Sequence, residues 1–204
     1  MHPKKCNFMV FNNNSDKSIG NSFKFKLFED FIPSCESIKF LGITFDIGLT
    51  FKNHILDIKK KCINRLNVIK ILSNKKWKLT NQTLISVYHS LIRSILDYSS
   101  IITPFLSNKL AKTTQSIQNT ALKCIFRLSF LTSTEEIKAI SGVETISDRA
   151  KYLNTTYLTN CFKFKNPLIM DLVKEYASGS KNFKEATFLC TLKSFISDAI
   201  RQLN

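Results

Sequence analysis

The sequence predicts an α+β fold that is mostly α, with a short N-terminal antiparallel β-hairpin region followed by a helical bundle. Three observations predict it. Up to about residue 46, apolar and aromatic residues come in short runs separated by polar turn clusters. From about residue 52 onward, apolar residues recur at steps of three and four. Hydrophobic residues make up 44% of the 204, enough to bury a sizeable core, and five glycines and four prolines are too few for a collagen-like or low-complexity chain.

The β region is organised around Ile38 to Asp46, where Phe40, Leu41, Ile43, Thr44 and Phe45 favour a strand and Gly42 interrupts it. Before it, Cys6 to Phe11 reads as a buried strand and residues 12–16 as a polar turn. Ser22 to Phe28 alternates, with Phe23, Phe25 and Leu27 on one face and Lys24 and Lys26 on the other. Three or four such strands cannot bury two faces alone, so helix should pack on them.

A first helix is expected from about Lys52 to Leu72, its stripe being Ile55, Ile58, Cys62, Leu66 and Ile69. The loop Asn74 to Leu79 holds the single tryptophan, Trp77, which either anchors the loop on the core or stacks on a base or sugar. Thr80 should cap a second helix, about Asn81 to Ile102, striped by Leu84, Val87, Leu91, Ile95 and Tyr98 and widened by Tyr88, Ile92, Leu96, Ile101 and Ile102. At its end, Asp97 reads as a surface acid beside a core tyrosine, Tyr98. A third helix, about Asn108 to Leu128, carries Leu110, Thr114, Ile117, Ala121, Cys124 and Leu128 inward. Ser133 and Glu136 have capping-box spacing, and Gly142 should stop the short helix they open. Thr145 to about Phe164 reads as another helix, with Ile146, Leu153, Tyr157 and Phe162. A short segment follows from Pro167, then a linker at 178–180. A last helix capped by Asn182 carries Phe188, Leu192, Phe195 and Ala199.

Thirty basic and fifteen acidic residues leave a net charge of +15, which calls for an anionic partner, nucleic acid before a membrane surface. Lys52 to Lys78 holds nine basic residues and one acid, Asp57. Lys59, Lys60, Arg65, Lys70, Lys75, Lys76 and Lys78 are the candidate contacts to nucleic-acid backbone, because a one-sign face repels itself unless something anionic meets it. The six scattered cysteines fit no zinc or CxxC spacing and point to a reducing, intracellular compartment. Neither a signal peptide nor a membrane-spanning run is expected. His2, His54 and His89 are isolated, and Glu29-Asp30 has no second carboxylate strand, so no metal site or complete active site is expected.

An ordered set of segments resembles the reverse transcriptases of jockey-like non-LTR retrotransposons. Lys39 to Asp46 followed by Leu49 to Ile55 is similar to the "YLGV-x-LD … LTW-x-x-HI" signature of that family. Arg65-Leu66-Asn67, Trp77-Lys78-Leu79, Ser94 to Tyr98 and Ile117 to Lys123 continue the similarity, which spans about Pro3 to Phe126. The resemblance implies that Lys5 matches the lysine of motif D near the incoming triphosphate. It makes Phe40, Leu41 and Gly42 the primer grip, and the helices from Lys52 a thumb-like bundle that holds a template–primer duplex. On this reading the chain divides into 1–50, the end of the palm; 51–130, the thumb; and 131–204, a helical region of unassigned role. The family's metal-binding aspartate motifs lie upstream of the matched part. This chain is therefore expected to be a truncated polymerase fragment, inactive alone and without a cofactor, whereas the intact family uses Mg2+ through those aspartates. Its expected partners are an RNA–DNA or DNA duplex backbone and a separate polypeptide that supplies the palm. The competing expectation is a catalytically silent basic helical module that binds another protein.

Overall fold

The segment Ile38 to Asp46 is two strands rather than one. β3 (Ser37–Phe40) pairs antiparallel with β4 (Ile43–Asp46), and Phe40 faces Ile43 across a two-residue turn. Both turn residues have positive φ, 45° at Leu41 and 81° at Gly42, which is the mark of a type I′ turn. Gly42 thus ends one strand and starts the next. β1 (Phe25–Leu27) and β2 (Asp30–Ile32) form the other hairpin, turning at Phe28, where φ is 58°. The predicted strand at Cys6–Phe11 is seen among the described residues as a bridge between Phe8 and Ser34, with Phe8 bonded through its backbone to Pro33 and Cys35.

The computed structural model describes residues 6–11 and 23–171. Lys5, Cys190, the 178–180 linker and the last predicted helix lie outside them. The chain divides into two compact units, residues 1–60 and 61–204, and helix α1 (Lys52–Leu72) runs through the division. The predicted stripe of α1 holds at every position, since Ile55, Ile58, Cys62, Leu66 and Ile69 are all buried. Each such aliphatic side chain contributes roughly 1.5–3 kcal/mol by leaving water.

In the second unit, the predicted helix from Asn81 to Ile102 is interrupted. α2 (Asn81–Tyr88), capped by the Thr80 hydroxyl, passes into a π turn (His89–Arg93), then α3 (Ser94–Tyr98), then a 3-10 segment through Pro104. The Ser94 N–H reaches back five residues to the His89 carbonyl, and the Ser94 hydroxyl donates to the bypassed Ser90 carbonyl at 2.7 Å. One extra residue in the turn moves every later position by one. Within the expected stripe, Ile92 and Leu96 are fully buried, Leu91 and Ile95 are half-buried, and the place expected for Tyr98 is taken by Ser99. Tyr98 is 62% exposed, so it is not a core tyrosine.

α4 (Asn108–Phe126) buries Thr114, Ile117, Gln118, Ala121, Leu122 and Ile125 and packs on α2, α5 (Thr134–Ser141) and α6 (Ile146–Lys163). The capping box at Ser133 and Glu136 is complete in both directions. α6 packs on α3 and the 3-10 segment through Ile146, Ala150, Leu158 and Cys161 rather than through the predicted Tyr157, which is 57% exposed. A further helical turn covers 167–171.

Gly142 ends α5 in the left-handed conformation, φ 65°, with open space where a Cβ would stand. The cost of a side chain there is therefore conformational alone. Gly142→Ala should lower unfolding free energy by about 1 kcal/mol and Gly142→Asn by clearly less, as measured by urea denaturation.

Candidate nucleic-acid interface

The residues that carry the family resemblance around the second hairpin act as its joints. Asp46 closes the turn into α1, accepting from the Thr50 N–H at 2.8 Å and the Thr50 hydroxyl at 3.1 Å. His54, buried in the first turn of α1, accepts from the Thr44 N–H of β4 through Nδ1 at 3.3 Å. Phe45 and Phe51 meet edge to face at 5.7 Å. The hairpin tip is thereby held on the helix start, and it carries Phe40 (62% exposed) and Leu41 (74% exposed) outward. Of the sequence-assigned primer grip, these two side chains are accessible to a ligand, while Gly42 shapes the turn.

Lys59 and Lys60 are exposed at the end of the first unit, and Lys70, Lys75, Lys76 and Lys78 in the second. None of the six forms an ion pair with another described residue. Between the lysines, the outer surface of α1 also shows Leu56, Ile63, Val68 and Ile71, so the predicted uniform basic face is a mixed one. Arg65 is engaged within the fold. Its Nη1 donates to the Leu91 carbonyl of the π turn at 2.6 Å.

The loop after α1 is rigidly built. Asn74 caps a single 3-10 turn (Lys75–Trp77), accepting from the Lys76 N–H at 3.0 Å, and Lys78 closes it in a left-handed conformation with its N–H on the Lys75 carbonyl. Trp77 does not anchor this loop on the core, because the capped turn points it outward and leaves it 58% exposed.

Beneath this surface lies a polar network that sequence reasoning missed. Arg93, 4% exposed, donates from Nη1 to Gln118 Oε1 at 2.6 Å and to the Glu144 carbonyl at 3.2 Å. Its Nε donates to Asp97 at 3.1 Å, and Arg149 holds the other Asp97 oxygen at 3.3 Å. Tyr88 donates to the same Gln118 Oε1 at 2.8 Å, and Gln118 Nε2 donates to the Glu144 carbonyl at 2.8 Å. The expected surface acid, Asp97, is thus a half-buried ion-pair partner of two arginines. The available signal was the Arg93–Asp97 spacing of four residues in an acid-poor chain. Two of the resemblance segments, the one at Ser94 to Tyr98 and the one at Ile117 to Lys123, meet in this network.

Burial pushes the Tyr88 hydroxyl up to about 12 and the Cys62 thiol up to about 11, so both are inert at neutral pH. His89 is held below its ordinary value by desolvation and then by the Arg93 charge. Among the described residues, no three His, Cys, Asp or Glu side chains converge where a metal ion could sit, so these residues do not fit the Mg2+ site of a polymerase and no metal-dependent step is assigned to them. Nor is any helix among them long and apolar enough to cross a membrane.

Arg93 is the hub of this network, so Arg93→Ala should cost about 3–5 kcal/mol of unfolding free energy by leaving buried partners uncompensated. Tyr88→Phe should cost only about 1 kcal/mol, because Gln118 Oε1 keeps its bond from Arg93. The Tyr88 pKa is raised in the fold, so its contribution is fully present below about pH 10 and is lost as pH rises toward about 12. Urea denaturation between about pH 9 and 12 should show a steeper loss for the parent chain than for Tyr88→Phe. No family model, curated protein or solved structure matches this chain in the comparisons made.

Proposed function

We propose that this chain is the thumb and primer-grip portion of a non-LTR retrotransposon reverse transcriptase, and that it binds RNA–DNA or DNA duplex by its phosphate backbone. The observation that carries the reading is a set of exposed lysines, Lys59, Lys60, Lys70, Lys75, Lys76 and Lys78, that pair with no acid among the described residues and lie in a stretch with one acid. Such side chains contact phosphates, which position a duplex without reading its sequence. The ordered resemblance supplies the family. The match of Lys5 to the motif D lysine belongs to the same proposal.

A polypeptide partner is favoured by a separate observation. Among the described residues each hairpin is a two-stranded sheet, which is marginal in water by itself, and Phe28, Phe31, Phe40 and Leu41 stand 61–79% exposed on them. A palm-bearing polypeptide that extends these strands would cover them. Without it, the chain performs no polymerisation, and primer extension with an RNA template and dNTPs should yield no product. Among the described residues, Cys35, Cys62, Cys124 and Cys161 are thiols, which suits a reducing, intracellular site of action.

Binding to an RNA–DNA hybrid and to a duplex of scrambled sequence should be equal. It should weaken by about 0.9 log units per log unit of salt for each neutralised phosphate on duplex DNA. The double change Lys59→Glu with Lys60→Glu should weaken both complexes alike and leave thermal stability nearly unchanged, since both side chains are exposed. Salt-insensitive binding, or none by a folded chain, would leave the protein-interaction reading in its place.

A further inference from the structure

Two loops meet at one end of the second unit. Arg127 ends α4 in a left-handed conformation, and its Nη2 donates to the carbonyl of Ser73, at the start of the tryptophan loop, at 3.4 Å. Residues 73–80 and 127–132 contain no acid. Phe130, 83% exposed, stands on the second loop, whose backbone is held by Lys123 Nζ on the Phe130 carbonyl at 2.6 Å. The first loop carries Trp77 directly between Lys76 and Lys78 in sequence, with Lys75 on the same 3-10 turn. Leaving the only tryptophan 58% exposed forfeits much of the largest apolar burial a side chain offers. The capped 3-10 turn nevertheless fixes it there.

We propose that Trp77 is a base-stacking platform for single-stranded nucleic acid and for unpaired strand ends. A single strand offers, nucleotide by nucleotide, a planar base flanked by two phosphates. Lys76-Trp77-Lys78 offers the complement along the chain, an exposed planar ring whose two neighbours in sequence are lysines. Inside a duplex, both faces of each base are already stacked, so only an unpaired or terminal base has a face free for the indole. A lipid surface is less well matched, because lysines on both sides of the tryptophan in sequence oppose its insertion below the headgroups. This inference rests on the backbone-binding reading above and deepens it from phosphate contact to contact with a base.

As the only tryptophan, Trp77 reports on itself. The full chain is titrated, with its intrinsic fluorescence followed, against oligo(dT), an abasic oligonucleotide of the same length and charge, a blunt duplex, and phosphatidylserine/phosphatidylcholine vesicles. Oligo(dT) should quench the emission and bind about tenfold more tightly than the abasic strand. Trp77→Ala should lose that tenfold while keeping its affinity for the abasic strand and the blunt duplex, and Trp77→Phe should keep most of it. Salt-sensitive duplex binding with equal oligo(dT) and abasic affinities and no quenching would overturn this inference and leave the backbone reading standing. No binding to any nucleic acid would overturn both. Vesicle binding with a blue-shifted emission and no quenching by oligo(dT) would assign the surface to a membrane instead.

Discussion

The second unit depends on one buried cation. Arg93 lies almost wholly out of water and joins three separate stretches of chain, with Gln118 on α4, the Glu144 carbonyl before α6, and Asp97 one turn along its own helix. A guanidinium in that position is tolerable only if its donors are satisfied in place, which the planar fork allows and a lysine would not. The π turn is what delivers it there. The added residue turns Arg93 inward, and the backbone disturbance is absorbed by Ser94 from one side and Arg65 from the other. The local irregularity and the buried charge therefore explain each other. Neither would persist without its counterpart.

Much of the architecture is legible in the sequence where one local rule acts alone. The stripe of α1 follows from three- and four-residue spacing, and the start and stop of α5 follow from Ser133, Glu136 and Gly142. Reading fails where a distant partner decides. Nothing local reports the single π turn after Tyr88, so Tyr98 faces solvent and Asp97 faces Arg93 and Arg149, the reverse of the expected surface acid and core tyrosine. Trp77 was legible as a choice between core anchor and stacking group. Its outward position comes from the Asn74 cap and the left-handed Lys78, which fix the turn before the indole can fold back. Arg65 is basic and on the expected helix, but its guanidinium is taken by a carbonyl 26 residues away.

The resemblance and the geometry bear on each other at the level of individual residues. Asp46 and His54 tie the hairpin to the helix it precedes, and the Asp97 and Gln118 segments converge on Arg93. These are scaffold roles. A signature made of such residues records how a fold is held rather than what it catalyses, so it is compatible with binding that has no chemistry of its own.

The distribution of the few acids completes the argument. Asp46 is used in a turn, Glu136 in a cap, Asp97 and Glu144 against Arg93 and Arg149, and Asp148 against Lys138. Around the buried Arg93, two arginines face two carboxylates, with Asp97, Arg149 and Glu144 reaching solvent at its edge, so the cluster is close to neutral. The excess of positive charge is thereby left on the surface, on lysines whose mutual repulsion is weakened by solvent and salt and costs the fold little. A cluster balanced in this way leaves the surface field positive. On the proposal made above, discrimination among polyanions falls to uncharged groups, with the exposed indole of Trp77 as the candidate.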